Sequence, residues 1–156
     1  MTQSVENMGR AVGIDFDFAK AVPVNTLAAH RLMHLAAEHG LQSPANEQIF
    51  AAYFSEGKDL SDLPTLIALG EAIGLDAALV ESTLQSDAFI EDVRNDEEQA
   101  YELGVQGVPF FVFDQKYALR GAQPVEAFVQ TLEAVWEKTQ AVVVEDGEAC
   151  DVDGCD

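Results

Sequence analysis

The chain has 156 residues, with 8 Lys+Arg against 28 Asp+Glu, a formal charge of −20. At 48% hydrophobic and 23% charged, it has the composition of one globular domain with a real core, and it is too acidic to suit a nucleic-acid backbone or an anionic membrane as partner. No apolar run approaches the ~18 residues of a membrane span, and Met1 to Arg10 lacks the basic-then-apolar pattern of a secretory signal, so a cytoplasmic location is expected.

The chain reads as strand-like ends around a helical middle. Thr2 to Gly13 has Val5, Met8 and Val12 at helical spacing, with Gly13 as a stop. Ile14 to Phe18 alternates apolar and acidic residues, the pattern of a half-buried strand. After Val22-Pro23-Val24, Asn25 is a cap for a helix running through His39 and ended by Gly40. Leu27, His30, Arg31, His34, Leu35 and Glu38 give that helix a mixed face, suited to lining a cleft. Ser43-Pro44 reads as a cap followed by proline at the first helical position. The helix it opens carries Ile49, Phe50, Tyr53 and Phe54, and stops at Gly57. Asp62 and Asp76 open two more helices, and Ser86 or Asp87 opens a longer one closed by Gly104. The middle is therefore a run of consecutive helices from Asn25 to Leu103.

The pattern then changes. Pro109 to Phe113 is a short β-rich apolar run, Asp114-Gln115 a turn, and Tyr117 to Arg120 its hairpin partner, ending at Gly121. Pro124 opens a last amphipathic helix with Val125, Phe128, Leu132, Val135 and Trp136 inward. From Thr139 the periodicity fails and the sequence turns acidic, so residues 139–156 are expected to form a mobile tail. The Gly104-to-Pro109 segment ends a helix, turns, and begins a strand at proline, where no interior ladder bond is lost.

Here the sequence resembles a known family. "GVQGVPFFVF" followed by "YALRGAQPVEAFVQTLEAV" is similar to the C-terminal half of DsbA-like thioredoxin-fold oxidoreductases. The nearest branch is the FrnE type, related to 2-hydroxychromene-2-carboxylate isomerases and kappa-class glutathione transferases. "GIDFDF", "PVNTLAAHRLMHLAAEHG" and "IFAAYFSEGKDLSDLPTLIALGEAIGLD" agree with it, so the resemblance covers about Val5 to Val135. It implies an α/β, thioredoxin-like fold with an inserted helical subdomain. Residues 1–24 and 104–138 would form the thioredoxin-like part, and 25–103 the helical insertion. It also implies that Val108-Pro109 is the cis-proline loop facing the catalytic thiols, and that the extended backbone before Pro109 pairs with a peptide or glutathione substrate. Asn25, at the start of its helix, would face the same cleft.

The family begins with a strand, a Cys-x-x-Cys at a helix N-terminus and a second strand. This sequence contains no such motif, and Met1 is expected to lie past a βαβ unit of ~30 residues. The expected activity is thiol–disulfide exchange on protein or small-thiol substrates, weak or absent in this chain alone. The alternatives are a glutathione-dependent isomerase or transferase, with glutathione as co-substrate, and a non-catalytic binding module. No bound cofactor and no metal are expected, and unpaired sheet edges would favour self-association. The only cysteines are Cys150 and Cys155. They read either as an auxiliary redox pair or as an inert tail. Glu148, Asp151, Asp153 and Asp156 around them disfavour the thiolate. His30 and His34, at i and i+4, could present two metal ligands, but without a third they read better as packing or cleft lining.

Overall fold

The computed structural model describes residues 2–145. They form seven helices and one hairpin: α1 Thr2–Ala11, α2 Leu27–Glu38, α3 Gln42–Phe54, α4 Leu63–Ala72, α5 Ala77–Gln85, α6 Ile90–Glu102, β1 Phe110–Phe113, β2 Tyr117–Arg120 and α7 Val125–Glu145. The chain divides after Gln99 into two compact units. The described residues 2–24 fall in the first unit. No helix among the described residues is long and apolar enough to cross a membrane.

The core of the first unit is built by α2 to α5. Leu32, Leu66 and Val80 are its largest fully enclosed side chains, joined by Leu35, Ile49, Leu60 and Leu69. Each such side chain contributes roughly 1.5–3 kcal/mol relative to exposure. Packing is tight enough that a Cβ on Gly70 would stand 2.7 Å from Val80 Cγ2, so α4 and α5 approach where one of them has no side chain. The helix starts at α4 and α5 follow the sequence. Asp62 accepts from Thr65 N–H at 3.0 Å and Asp76 from Leu79 N–H at 3.0 Å, each satisfying an otherwise orphaned donor.

Two other starts differ from the sequence reading. The α3 helix begins at Gln42, with Leu41 at the cap and no side-chain cap bond, so Ser43 lies inside the first turn. The short link from α2 leaves no room for a separate capping turn: Leu41 N–H is already bonded to Ala36 C=O, and Ala45 N–H to Leu41 C=O. The α6 helix begins at Ile90 rather than at Ser86 or Asp87. The cause is Arg31, which is only 6% exposed. Its guanidinium donates to the carbonyls of Thr83 (2.5 Å), Ser86 (2.7 Å), Ala88 (2.6 Å) and Leu84 (3.2 Å). Those oxygens are held in a turn instead of an i→i+4 ladder, and Phe89 reaches φ +62 before the helix resumes. Arg31 is thus a buried clamp on the α5 C-terminus, not part of a cleft face.

The expected strand at Ile14–Phe18 does not form. No strand lies beside it among the described residues, so its polar groups pair with α3. Asp17 N–H donates to Phe54 C=O at 2.8 Å, and Ser55 Oγ to Asp15 C=O at 2.7 Å. The alternation survives as one packed face. Phe16 and Phe18 stack with centroids 5.4 Å apart, and both meet Phe54 edge-on.

In the second unit β1 and β2 pair antiparallel, with Phe110 opposite Arg120 and Phe113 opposite Tyr117. Asp114 and Gln115 take φ +50 and +55 to close the turn. The α7 helix packs on this hairpin through Phe128, whose ring lies edge-on to Phe111 at 4.8 Å. Val125, Leu132 and Trp136 are exposed, against the inward placement expected of them. A two-stranded sheet covers only a narrow stripe of a helix. The same helix runs to Glu145, past Thr139 where periodicity fails. Extending a formed helix adds one hydrogen bond per residue fixed and needs no amphipathic face.

Candidate functional site

The segment singled out by sequence is built from the end of α6. Gly104, at φ +72, takes a left-handed conformation that a side chain disfavours. Its N–H donates to Tyr101 C=O at 2.9 Å, and Val105 N–H donates to Ala100 C=O at 3.0 Å. This pair of bonds closes the helix and turns the chain sharply. Gln106, Gly107 and Val108 follow on the surface, with Val108 87% exposed. The Val108–Pro109 peptide bond is cis. Pro109 C=O then accepts from Gly121 N–H at 2.8 Å, which adds one rung to the β1–β2 ladder and ties the loop to the hairpin.

Pro109 has no N–H to lose at this rung. The N–H and C=O of Val108 and of Gly107 make no hydrogen bond among the described residues. The loop therefore holds out an unpaired stretch of main chain whose base is fixed on both sides. Unpaired backbone groups of this kind are what an added strand recognises. Gly121 is the member of this arrangement that sequence reasoning did not single out. Its only signal was its place at the end of β2.

Asn25 belongs to the first unit. It is exposed, and its Oδ1 accepts from Leu27 N–H at 2.9 Å. It acts at the start of α2 as expected, although Thr26 is the geometric cap and makes no side-chain cap bond. Next to it a pocket of ≈ 230 Å³ opens between α2 and α3, with Met33, Ile49, Phe50 and Phe54 in its apolar wall and Thr26, His30 and Tyr53 as its polar members. His34 is held otherwise: its Nε2 lies 3.0 Å from Asp96 Oδ2, and its ring stacks on Phe89. His39 places Nδ1 3.0 Å from Leu35 C=O at the α2 C-terminus. His30 and His34 thus serve a pocket rim and a hydrogen-bonded contact with Asp96. No group of three or more His, Cys, Asp or Glu able to hold a metal ion occurs among the described residues.

Cys150 and Cys155 lie outside the described residues. Val108 and Pro109 are adjacent in one loop of the second unit, and Asn25 is in the first. The shifted ionisations fall away from all of them. A hydrogen bond from Lys20, followed by its charge, holds Asp17 below its ordinary value, and the same pairing raises Lys20. Hydrogen bonds from the Ser61 hydroxyl and N–H lower Asp59.

The sequence pattern of the DSBA-like thioredoxin domain matches residues 1–133. The crystal structure of a probable DsbA oxidoreductase from Streptomyces coelicolor is similar to the chain at 31% identity and TM-score 0.80, over 99% of this chain and 62% of that one. The uncharacterised protein YwbO of Bacillus subtilis is 29% identical over 111 residues, 70% of this chain and 56% of that protein. The chain therefore spans a little over half the length of the relatives it matches.

Proposed function

The chain belongs to the DSBA-like thioredoxin domain family, and on that premise we propose that it takes part in thiol–disulfide exchange, with the loop before Pro109 as the edge on which a substrate lies. Its α/β fold is the DsbA-like thioredoxin fold, mostly helical, with a two-stranded sheet among the described residues. The observation that carries the reading is the main chain of Val108, exposed, unpaired and anchored by the Pro109–Gly121 bond. An extended polypeptide or glutathione offers the N–H and C=O groups that would complete it.

In the exchange itself a cysteine thiolate attacks one sulfur of the substrate disulfide. One S–S bond forms as the other breaks, and a substrate thiolate leaves. A second thiolate then resolves the mixed disulfide, so two electrons pass between protein and substrate. The sequence supplies Cys150 and Cys155 only. Among acidic neighbours they are slow nucleophiles, and their role is that of an auxiliary redox pair. In a dithiothreitol-driven insulin assay this chain alone is accordingly weak or inactive. The setting is cytoplasmic, where thiols are kept reduced, and the branch is the FrnE type.

Hydrogen exchange tests the edge. An extended peptide carrying a mixed disulfide should slow exchange at Val108 N–H several-fold, while the α2 to α5 core is unchanged. Peptide binding that leaves Val108 unprotected would place the substrate elsewhere and end this reading of the loop.

A further inference from the structure

A second surface of the first unit has a chemistry of its own. Between the Ile14–Phe16 segment and α3 lies an open groove of ≈ 350 Å³ with Ile14, Phe16, Phe50 and Phe54 as its apolar wall and Glu47 and Ser55 as its polar members. Phe50 is 52% exposed, so an aromatic face is open to solvent. Phe16 and Phe50 both pack against Phe54, with centroids 5.9 and 6.2 Å away.

Its polar side chains only accept. Glu47 is a carboxylate. The Ser55 hydroxyl has given its one proton to Asp15 C=O at 2.7 Å, which leaves lone pairs alone. No cation lines the groove. Aromatic faces beside acceptors without donors favour a positively charged, donor-rich group and reject a carboxylate. Arginine fits better than lysine, because its planar guanidinium can lie on a ring while its edge bonds a carboxylate.

We propose that this groove receives an arginine side chain of a partner polypeptide. Charge complementarity selects the occupant. The chain's own residues 146–156 carry acids and no Lys or Arg, and a second copy brings a further charge of −20. Both are repelled by Glu47, whereas a basic segment is attracted to it and to the acidic surface. None of its residues is a cysteine or belongs to the Pro109 loop, although Phe50 and Phe54 also line the pocket beside Asn25.

The test uses the full chain and a short cysteine-free peptide with one arginine between leucines, followed by fluorescence anisotropy. Citrulline and glutamate replace the arginine in two companion peptides. The arginine peptide should bind roughly tenfold more tightly than the citrulline one, and the glutamate peptide should not bind. Glu47→Gln and Phe50→Ala, both at exposed positions, should remove the preference. Glu91→Gln, an equal charge change on α6, should keep it. Five results would overturn the proposal. One is no binding of the arginine peptide. Another is a preference that survives Glu47→Gln, and a third is a preference lost equally in Glu91→Gln. A fourth is self-association that Phe50→Ala abolishes, which would make the groove an interface between copies. The fifth is acetylarginine amide binding as tightly as the peptide, which would favour a free organic cation over a polypeptide partner.

Discussion

Arg31 shows how much one side chain decides. Four carbonyls separated from it by 52 to 57 positions depend on its donors. Removing it takes a donor from the partly buried carbonyls of Leu84, Ser86 and Ala88, while Thr83 C=O keeps the Ser86 N–H and hydroxyl, at a cost of roughly 1–3 kcal/mol. Arg31→Met should therefore lower the urea midpoint markedly. Arg31→Lys should recover little, since three donors on a point charge cannot serve four carbonyls spread over a fork. A Met variant as stable as the parent would mean the clamp is idle. The ionisable surface behaves differently. Asp17 is depressed below its ordinary 3.8 by the Lys20 hydrogen bond, and Lys20 is raised above its ordinary 10.5 by the same contact. The depressed carboxylate stabilises the fold above about pH 4 and loses that contribution as pH falls through its folded value. The raised ammonium stabilises below its ordinary value and loses that contribution as pH climbs through the folded one. Lys20→Met should move the Asp17 carboxyl titration, followed by NMR, up towards 3.8 and leave Asp59 where it is, because Asp59 answers to Ser61. Asp17 and Lys20 pair at the surface in contact with solvent, so the thermal midpoint should hardly move.

At the scale of elements, local signals and tertiary context part ways at identifiable places. Asp62 and Asp76 cap as their sequence positions indicate, and replacing either by alanine should cost about 1 kcal/mol by urea titration. Ser43 carries the same sequence signature, yet it sits within the first turn of α3 and caps nothing. Ser43→Ala should then be neutral to within a few tenths of a kcal/mol. A cost near that of Asp76→Ala would show that Ser43 caps in solution. Caps of α4 and α5 were legible because cap, donor and helix lie within four residues. The start of α6 was not legible, because it is set by Arg31 from across the unit. Ile14–Phe18 failed for a related reason. Alternation records which side chains face inward, but a strand also needs a neighbour, and here α3 supplies the bonds. The hairpin was legible in both strands and the turn, since β-rich runs and their connection are contiguous in sequence. Of the candidate site, Val108 and Pro109 were marked by the glycines before them and by their place at the head of a strand. The rung from Pro109 to Gly121 spans twelve residues and has no local signature.

At the scale of the whole molecule, apolar surface and net charge oppose each other. Val125, Val129, Leu132 and Trp136 of α7 are all exposed large hydrophobics, Trp136 at 67%. Several such residues on one helix, next to a hairpin that has no further strand beside it among the described residues, are a surface prepared for association. The charge of −20 pushes copies apart, and that repulsion is long-ranged only at low ionic strength. Raising salt shortens the screening length from about 30 Å at 0.01 M to about 3 Å at 1 M, while burial of apolar area is undiminished. Association should therefore increase with salt, the reverse of an assembly held by ion pairs. Trp136 is the only tryptophan, so its emission reports directly on this face. In dilute, low-salt solution it should emit as a solvated indole. Raising protein concentration or salt should shift the emission to shorter wavelength together with a rise in sedimentation coefficient. Trp136→Gln should weaken association at high salt and leave the melting of the α2 to α5 core unchanged. A chain that stays monomeric at high salt, with Trp136 still solvated, would show that the exposed face of α7 does not mediate self-association.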